Sequence, residues 1–569
     1  MLFRSGEDPT PEQPATSAIR HVIESLLLLA ATVLIFRTFA AEGYLISTGS
    51  MAPCLLGYHR QVTCPTCSHQ FAKGMSVAEA EGSSSIASTA SASVGDPHGI
   101  SGTACPNCGR TGLTVNSLPK NEGDQLLVNK HAFMLRNPHR WEVIVFRNPS
   151  DPLEAYVKRA VGLPGETIEL RDGEVFANGV PQRKSLSAQL GTRILVDEHS
   201  HQPDPGNVDW EPRWSAEKDE SRWTETPEGF RFGGTKPGTP VEWLGFRHWV
   251  VSGGTHETQV PLAQWPKSLV KPSSEFTALE YDEEKKLLQM TGVLSAEELD
   301  RWTSRTTDAA FLKAIEKLYF RSHYAPISDE YGYNQRYEGV TNYRVRDVML
   351  EFELDHVPSA GELTVRLTHG RTQVDCRFDF AVRTLSVTFN ASPAKTSEVS
   401  QDFGSLPPVV ATLPLPRSLK SGSHQIIASV FDGQLVVGID EQPLGEPLRL
   451  PESAEDPPAP WVERVALIGA QGAAINVRNL RLYRDVYYTP KNDAAGKKFA
   501  LRDDEYFALG DNSPVSVDSR CWESPGVPER SLIGKPFVVH LPSRPGRIAL
   551  GGKVTYVRVP DFSRVRYIR

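Results

Sequence analysis

The sequence contains the run Ala155-Tyr-Val-Lys-Arg-Ala-Val161. Its side chains alternate with the period of two that marks a β-strand, so Lys158 and Arg159 face opposite sides of one sheet. One of them can then point into a site while its neighbour stays solvated or ion-paired. An isolated lysine on a strand is ordinarily a solvated surface group, so the meaning of Lys158 depends on what surrounds it.

The chain as a whole has the composition and patterning of a mainly β protein. At 569 residues it exceeds one ordinary core, and two to four domains are expected. Gly 44 and Pro 43 suit a turn-rich, strand-dominated architecture. A formal net charge of -8 excludes a general nucleic-acid binder, since phosphate neutralisation needs a basic surface. Short alternating runs recur at Val348-Met-Leu-Glu-Phe-Glu-Leu354, Leu363-Thr-Val-Arg-Leu367, Gln425-Ile-Ile-Ala-Ser-Val430 and Leu435-Val-Val-Gly-Ile439. Their spacing predicts an antiparallel sandwich. Together with the closing strand Val477-Arg-Asn-Leu-Arg-Leu-Tyr483, this part resembles a concanavalin-like β-sandwich. Between the two β regions, Ser295-Ala-Glu-Glu298 is a capping box. It predicts one helix whose stripe Leu299, Phe311, Leu312, Ile315, Leu318 and Tyr319 is core.

The apolar segment Ser25-Leu-Leu-Leu-Leu-Ala-Ala-Thr-Val-Leu-Ile-Phe36 has three readings. Extended from Arg20 to Glu42 it reaches about 20 residues, the length of a membrane span, with Glu24 and Arg37 near the two interfaces. A cleaved signal peptide with Ala40-Ala41 as its small-residue site is the second reading, and a buried core helix the third. Residues 1–18 are polar and Pro-rich, the composition of a disordered tail. The Ser/Ala/Gly-rich stretch from Ser76 to Ala104 reads as a loop.

Five separated segments surround Lys158 in a meaningful order. They are the apolar segment ending Ile35-Phe-Arg-Thr-Phe39, then Ile46-Ser-Thr-Gly-Ser-Met-Ala-Pro-Cys-Leu55, then Gly123-Asp-Gln-Leu-Leu-Val-Asn-Lys-His-Ala-Phe133 running on to Arg140-Trp-Glu-Val-Ile-Val-Phe-Arg-Asn-Pro149. Tyr156-Val-Lys-Arg-Ala-Val-Gly-Leu-Pro-Gly-Glu166 and Gly510-Asp-Asn-Ser-Pro-Val-Ser-Val-Asp-Ser-Arg520 complete the set. In content and order they resemble the boxes of the bacterial type I signal peptidases, a leader peptidase family that uses a Ser/Lys dyad. The residue chemistry agrees. A serine hydroxyl becomes a good nucleophile only when a base takes its proton, and a desolvated neutral lysine can be that base. The resemblance implies Ser50 as nucleophile and Lys158 as general base. It implies Thr48, at a position where other members carry Ser, as an oxyanion donor beside the Ser50 N–H, and Ser516 as the hydroxyl that orients the lysine. Asp518, Arg520 and Arg159 match a structural ion-pair cluster. Ile46, Met51, Leu55, Tyr156 and Val157 would line a shallow pocket that admits small residues and excludes larger ones, or are ordinary core. Several positions depart from the family pattern: Ser47 for proline, Cys54 for threonine, Glu166 for aspartate, and Cys521-Trp-Glu-Ser-Pro-Gly-Val-Pro528, which is one residue longer.

Four of the seven cysteines form two pairs, Cys64-Pro-Thr-Cys67 and Cys105-Pro-Asn-Cys108. Paired C-x-x-C knuckles can set four thiolates at the corners of a tetrahedron, as in a zinc ribbon; disulfides are the alternative. His59 and His69 are spare ligands by composition and surface residues by expectation.

The expected organisation is then a tail over 1–18, a transmembrane anchor over 19–41, and a catalytic domain assembled from 42–56, 115–170 and 488–569. It would be split by a zinc-ribbon-like insert at 57–114, a mixed insert at 171–337 and a sandwich at 338–487. The implied activity is removal of signal peptides from secretory preproteins by an inner-membrane, single-pass enzyme with its catalytic domain on the exported side. It would contact membrane lipid, use no cofactor for catalysis and carry a structural zinc. A catalytically inactive tethered binding protein and a self-cleaving Ser/Lys protease are the alternatives.

Overall fold

A computed structural model of the chain describes residues 18–39, 41–81, 103–149, 151, 153–204, 210–218, 220–236, 238–254, 257–272, 279–334, 342–391, 409–420, 422–451, 464–491, 496–550 and 553–569. All of the expected tail over 1–18 except Ala18, and most of the Ser/Ala/Gly-rich loop, lie outside the described residues. The fold is mainly β.

The run that opened the reading forms strand Ala155–Gly162, in the middle of an eight-stranded sheet. Its hydrogen-bonded neighbours are Val143–Arg147 and Glu505–Leu509, both antiparallel. The sheet continues through Leu532–Val539 and Gln125–Asn129 to the edge strand Ala41–Leu45, and ends on its other side at Gly526–Pro528. Strands more than 300 residues apart in sequence therefore meet beside Lys158 (505 − 162 = 343). A smaller four-stranded sheet, Val180–Pro181, Glu174–Ala177, Thr167–Arg171 and Lys498–Ala500, packs its Ile168, Val175 and Phe499 with Phe507 and Leu509 of the large sheet.

The sandwich comprises a nine-stranded and a seven-stranded sheet. All the runs singled out by alternation are strands: Val348–Leu354, Glu362–His369, His424–Ser429, Gln434–Ile439 and Ile475–Arg484. Their inward side chains, among them Leu350, Phe352, Val365, Leu367, Val437 and Leu480, close one large apolar core. The sandwich is wider than 338–487, because Ile194–Glu198, Trp214–Ala216, Trp223–Thr226, Gly229–Phe232 and Glu242–Phe246 belong to its two sheets. Those runs are short and rich in Trp, Phe and Glu, so their alternation is hidden until partner strands bury one face.

The Ser295 capping box forms, but it opens a short helix, Ala296–Thr303, and the stripe continues on a second one, Ala309–Ser322. The break falls at Thr306-Thr307-Asp308, where the Asp308 carboxylate accepts from the Phe311 N–H at 3.0 Å and caps the second helix. Phe311, Ile315, Leu318 and Tyr319 are core, packed with Trp265 and Trp302.

The apolar segment forms helix Ala18–Phe39, with Leu26, Leu27, Leu28 and Leu29 exposed. Among the described residues no helix is long and apolar enough to cross a membrane, which corrects the span expected over 19–41. The uninterrupted apolar part, residues 26–36, is about 16 Å long at 1.5 Å per residue, roughly half a bilayer's hydrocarbon thickness. It is flanked by the Arg20–Glu24 ion pair on one side.

Candidate active site and cysteine cluster

Ser50 sits in the turn that follows the edge strand Ala41–Leu45. Two hydrogen bonds hold that turn against the Gly510 box, and a third contact fixes Asn512 itself. The Asn512 backbone N–H donates to the Ser50 carbonyl at 3.0 Å, the Asn512 side-chain amide donates to the Gly49 carbonyl at 2.9 Å, and Asn334 and Asn512 exchange reciprocal amide bonds at 2.7 Å. The approach demands glycine at two places. A Cβ on Gly49 would lie 2.1 Å from the Tyr333 ring, and one on Gly510 would lie 2.4 Å from the Ser50 carbonyl oxygen and 2.3 Å from Ser516 Oγ.

Lys158 Nζ lies 2.6 Å from Ser50 Oγ. The ammonium is almost completely buried, with Nζ 5.1 Å from the centre of the Tyr156 ring. Burial pulls its pKa down to about 8; Asp518 and Asp511 oppose the shift and Arg520 reinforces it. On the opposite face, Arg159 makes a bidentate pair with Asp511, at 2.8 Å and 2.6 Å, and donates to the Trp141 carbonyl at 2.6 Å. The alternation expected from the run thus separates a lysine aimed at a serine from an arginine locked in a structural pair.

The ion-pair cluster is partitioned differently from the expectation. Asp518 pairs with Arg520 at 2.6 Å, both fully buried, while Arg159 takes Asp511 instead. Burial would raise the Asp518 carboxyl, and the Arg520 guanidinium overrides it and holds the group low. Ser516 is fully buried against Gly510, and among the described residues its Oγ makes no hydrogen bond to Lys158; its hydroxyl helps hold the Asp518 carboxyl low. Thr48 is exposed on the same turn as Ser50. Ile46, Met51, Leu55 and Val157 pack in one apolar cluster, the first three buried, whereas Tyr156 packs with Phe146 and Trp522 on the other face. The Glu166 departure is absorbed locally: its carboxylate accepts from the Leu163 N–H at 2.7 Å and from Arg140 at 2.5 Å.

Asp511, Asn512, Tyr331 and Asn334 belong to this site's support and were not singled out by sequence. Tyr331 donates to the Asp511 carbonyl at 2.7 Å. Asp511 and Asn512 stand inside the Gly510 box and could have been read there. Tyr331 and Asn334 lie in the poorly patterned middle of the chain, where no signal marks them.

The two cysteine pairs meet. Cys64 Sγ is 3.6 Å from Cys108 Sγ and Cys67 Sγ is 3.7 Å from Cys105 Sγ, and all four ligand atoms lie within 4.8 Å of one another, every residue buried. The knuckles repeat one backbone pattern: Ser68 N–H donates to the Cys64 carbonyl and Gly109 N–H to the Cys105 carbonyl, with positive φ at both residues. The separations are far beyond the S–S bond of about 2.05 Å. They match the edge of about 3.8 Å for a tetrahedron of thiolates at the usual Zn–S length of about 2.3 Å. The cluster fits a metal of zinc type. His59 and His69 are buried, not surface residues: His59 lies between the Gly57 carbonyl and the Asn121 amide, and His69 lies against Phe71.

A family model described as signal peptidase, peptidase S26, matches residues 115–222 and 430–541. Among curated relatives, signal peptidase I V of Bacillus subtilis is 40% identical over 13% of this chain and 47% of its own length. A signal peptidase I of Pseudomonas fluorescens is 36% identical over 19% of this chain and 40% of its own. The chain spans less than half the length of these curated relatives. Among solved structures, Caenorhabditis elegans galectin LEC-6 aligns with 24% of this chain and 83% of its own at 10% identity, with a TM-score of 0.18, too low to bear on the fold. The matched segments and the curated relatives support the signal peptidase family, whose members are serine hydrolases, for the part of the chain they cover.

Proposed function

We propose that this chain is a serine endopeptidase that removes N-terminal signal peptides from secretory preproteins, with Ser50 as nucleophile and Lys158 as general base. The observation that carries the reading is the 2.6 Å contact between Ser50 Oγ and a buried lysine whose pKa burial has lowered to about 8. As an ammonium, Lys158 donates to the serine. As a neutral amine it accepts the Oγ proton, and the oxygen attacks the scissile carbonyl. The tetrahedral oxyanion would take hydrogen bonds from the Ser50 N–H and the Thr48 hydroxyl. The lysine ammonium returns its proton to the leaving amine, and a water activated by the same lysine hydrolyses the acyl-enzyme.

In this reading the four cysteines hold a structural zinc, with no part in catalysis. The exposed apolar turn Leu26–Leu29 of helix Ala18–Phe39 would embed in a membrane, which would concentrate the enzyme on membrane-held substrates. Cleavage of a model preprotein tests the function. Wild type should cut and Ser50→Ala and Lys158→Ala should not, while each keeps its fold by circular dichroism. Retained cleavage by either variant would remove the dyad.

A further inference from the structure

Beside the cysteine cluster the structure brings together three residues that the peptidase chemistry does not use. We propose that His69, Glu198 and His201 form a second metal site, distinct from the four cysteines, which takes a divalent cation of zinc type and clamps the cysteine-bearing segment to the edge of the β-sandwich.

The residues come from separate parts of the fold. His69 closes the first cysteine knuckle, its carbonyl accepting from the Cys64 N–H. Glu198 ends the sandwich strand Ile194–Glu198, and His201 follows in the next turn. One ligand atom from each lies within 4.8 Å of the others. The Glu198 carboxylate is divided between two tasks. Oε1 accepts from Arg481 at 2.9 Å and 2.8 Å, which leaves Oε2 facing His201 Nδ1 at 3.1 Å and His69 Nδ1 at 3.7 Å.

A simple hydrogen-bonded cluster does not explain His69. The residue is 7% exposed, and its buried Nδ1 faces Glu198 Oε2 at 3.7 Å, too long for a well-formed hydrogen bond, with no other partner. Orphaned buried polar atoms are rare and costly. A cation resolves the geometry. Two donors each about 2.1 Å from a tetrahedral zinc lie about 3.4 Å apart, between the two separations seen here. Two imidazoles and a carboxylate are a zinc donor set that leaves one position for water. Asn107, buried in the second knuckle, supports the site from behind: its amide donates to the His201 carbonyl at 2.6 Å and its oxygen accepts from the Glu198 N–H at 2.9 Å. Both knuckles therefore grip the same short segment, and the ion would complete the attachment.

The proposal does not depend on the peptidase reading, and its test uses no substrate. Full-length wild type and His201→Ala are loaded with zinc, dialysed against buffer without metal and analysed for metal and thermal stability. The side chain of His201 is partly exposed, so its loss should leave the fold intact; Glu198→Gln replaces it as the deciding variant if it does not fold. The expected result is one zinc equivalent fewer per chain in the variant than in wild type, and loss of the part of the zinc-induced rise in Tm that this site supplies. The cobalt-loaded variant should keep the thiolate-to-metal absorption of the cysteine site. Equal zinc content in wild type and the deciding variant would overturn the proposal.

Discussion

Lys158 offers the most discriminating test, because its protonation enters both rate and stability. The perturbation is pH. Only the neutral amine can accept the Ser50 proton, so kcat/KM should follow the neutral fraction of a group titrating at about 8. Such a group is about 10% neutral at pH 7 and about 90% neutral at pH 9, so the rate should rise roughly tenfold and level off near pH 9. A lysine left at its ordinary value of 10.5 would give a rise of about a hundredfold over the same interval with no plateau. The assay is cleavage of a fluorogenic peptide carrying a signal-peptide cleavage site and no group ionising between pH 6 and 10, under kcat/KM conditions. Stability gives an independent reading. The folded pKa is depressed, so the folded protein binds fewer protons than the unfolded chain between about 8 and 10.5. Holding the buried ammonium costs about 3 kcal/mol below pH 8, and the cost is relieved as pH rises through that window. The stability advantage of Lys158→Met over wild type should therefore shrink by about 3 kcal/mol from pH 8 to 10.5 in urea unfolding. A log-linear hundredfold rate rise without a plateau, or a stability difference independent of pH, would refute burial as the source of the lysine's basicity.

Other outcomes follow from the same geometry. Thr48→Val should lower kcat by roughly 10²–10³ by removing an oxyanion donor, while Thr48→Ser stays within about tenfold of wild type; equal activity for Thr48→Val would assign the second donor elsewhere. Asp511→Ala strands the fully buried Arg159 guanidinium and should cost about 3–5 kcal/mol in chemical denaturation; a change under 1 kcal/mol would show that the pair is not structural. Cys108→Ser should release the thiolate-held zinc, read by metal analysis, whereas mass shifts for two disulfides in wild type would remove the metal reading of the cysteines. Deleting residues 338–485 should abolish folding and activity together, because strands 194–198 and 229–232 lose their partner Ile475–Arg484 and strand 242–246 loses Ala466–Gln471; a soluble, active deletion would show that those strands are dispensable.

What depends on neighbours along the chain was legible in the sequence. Alternation in Ala155–Val161 placed Lys158 and Arg159 on opposite faces, Ser295 and Glu298 announced a helix start, and the C-x-x-C spacing shaped each knuckle. Ser50 was singled out by the resemblance of its box to those of the signal peptidases, not by any local periodicity. Everything that required two distant pieces to meet was left to the tertiary structure. Asp511, not Asp518, neutralises Arg159, because only the pairing of Glu505–Leu509 with Ala155–Gly162 sets which carboxylate arrives. Tyr331 and Asn334 brace Asp511 and Asn512 of the Gly510 box from a stretch with no periodicity to mark them. Five short strands between 194 and 246 became sandwich strands only where longer partners buried one of their faces. Periodicity reports a side chain's direction relative to its own backbone, and burial and charge pairing depend on what lies opposite. A lysine's basicity and a histidine's missing partner are of the second kind, so they could be found only in the folded chain.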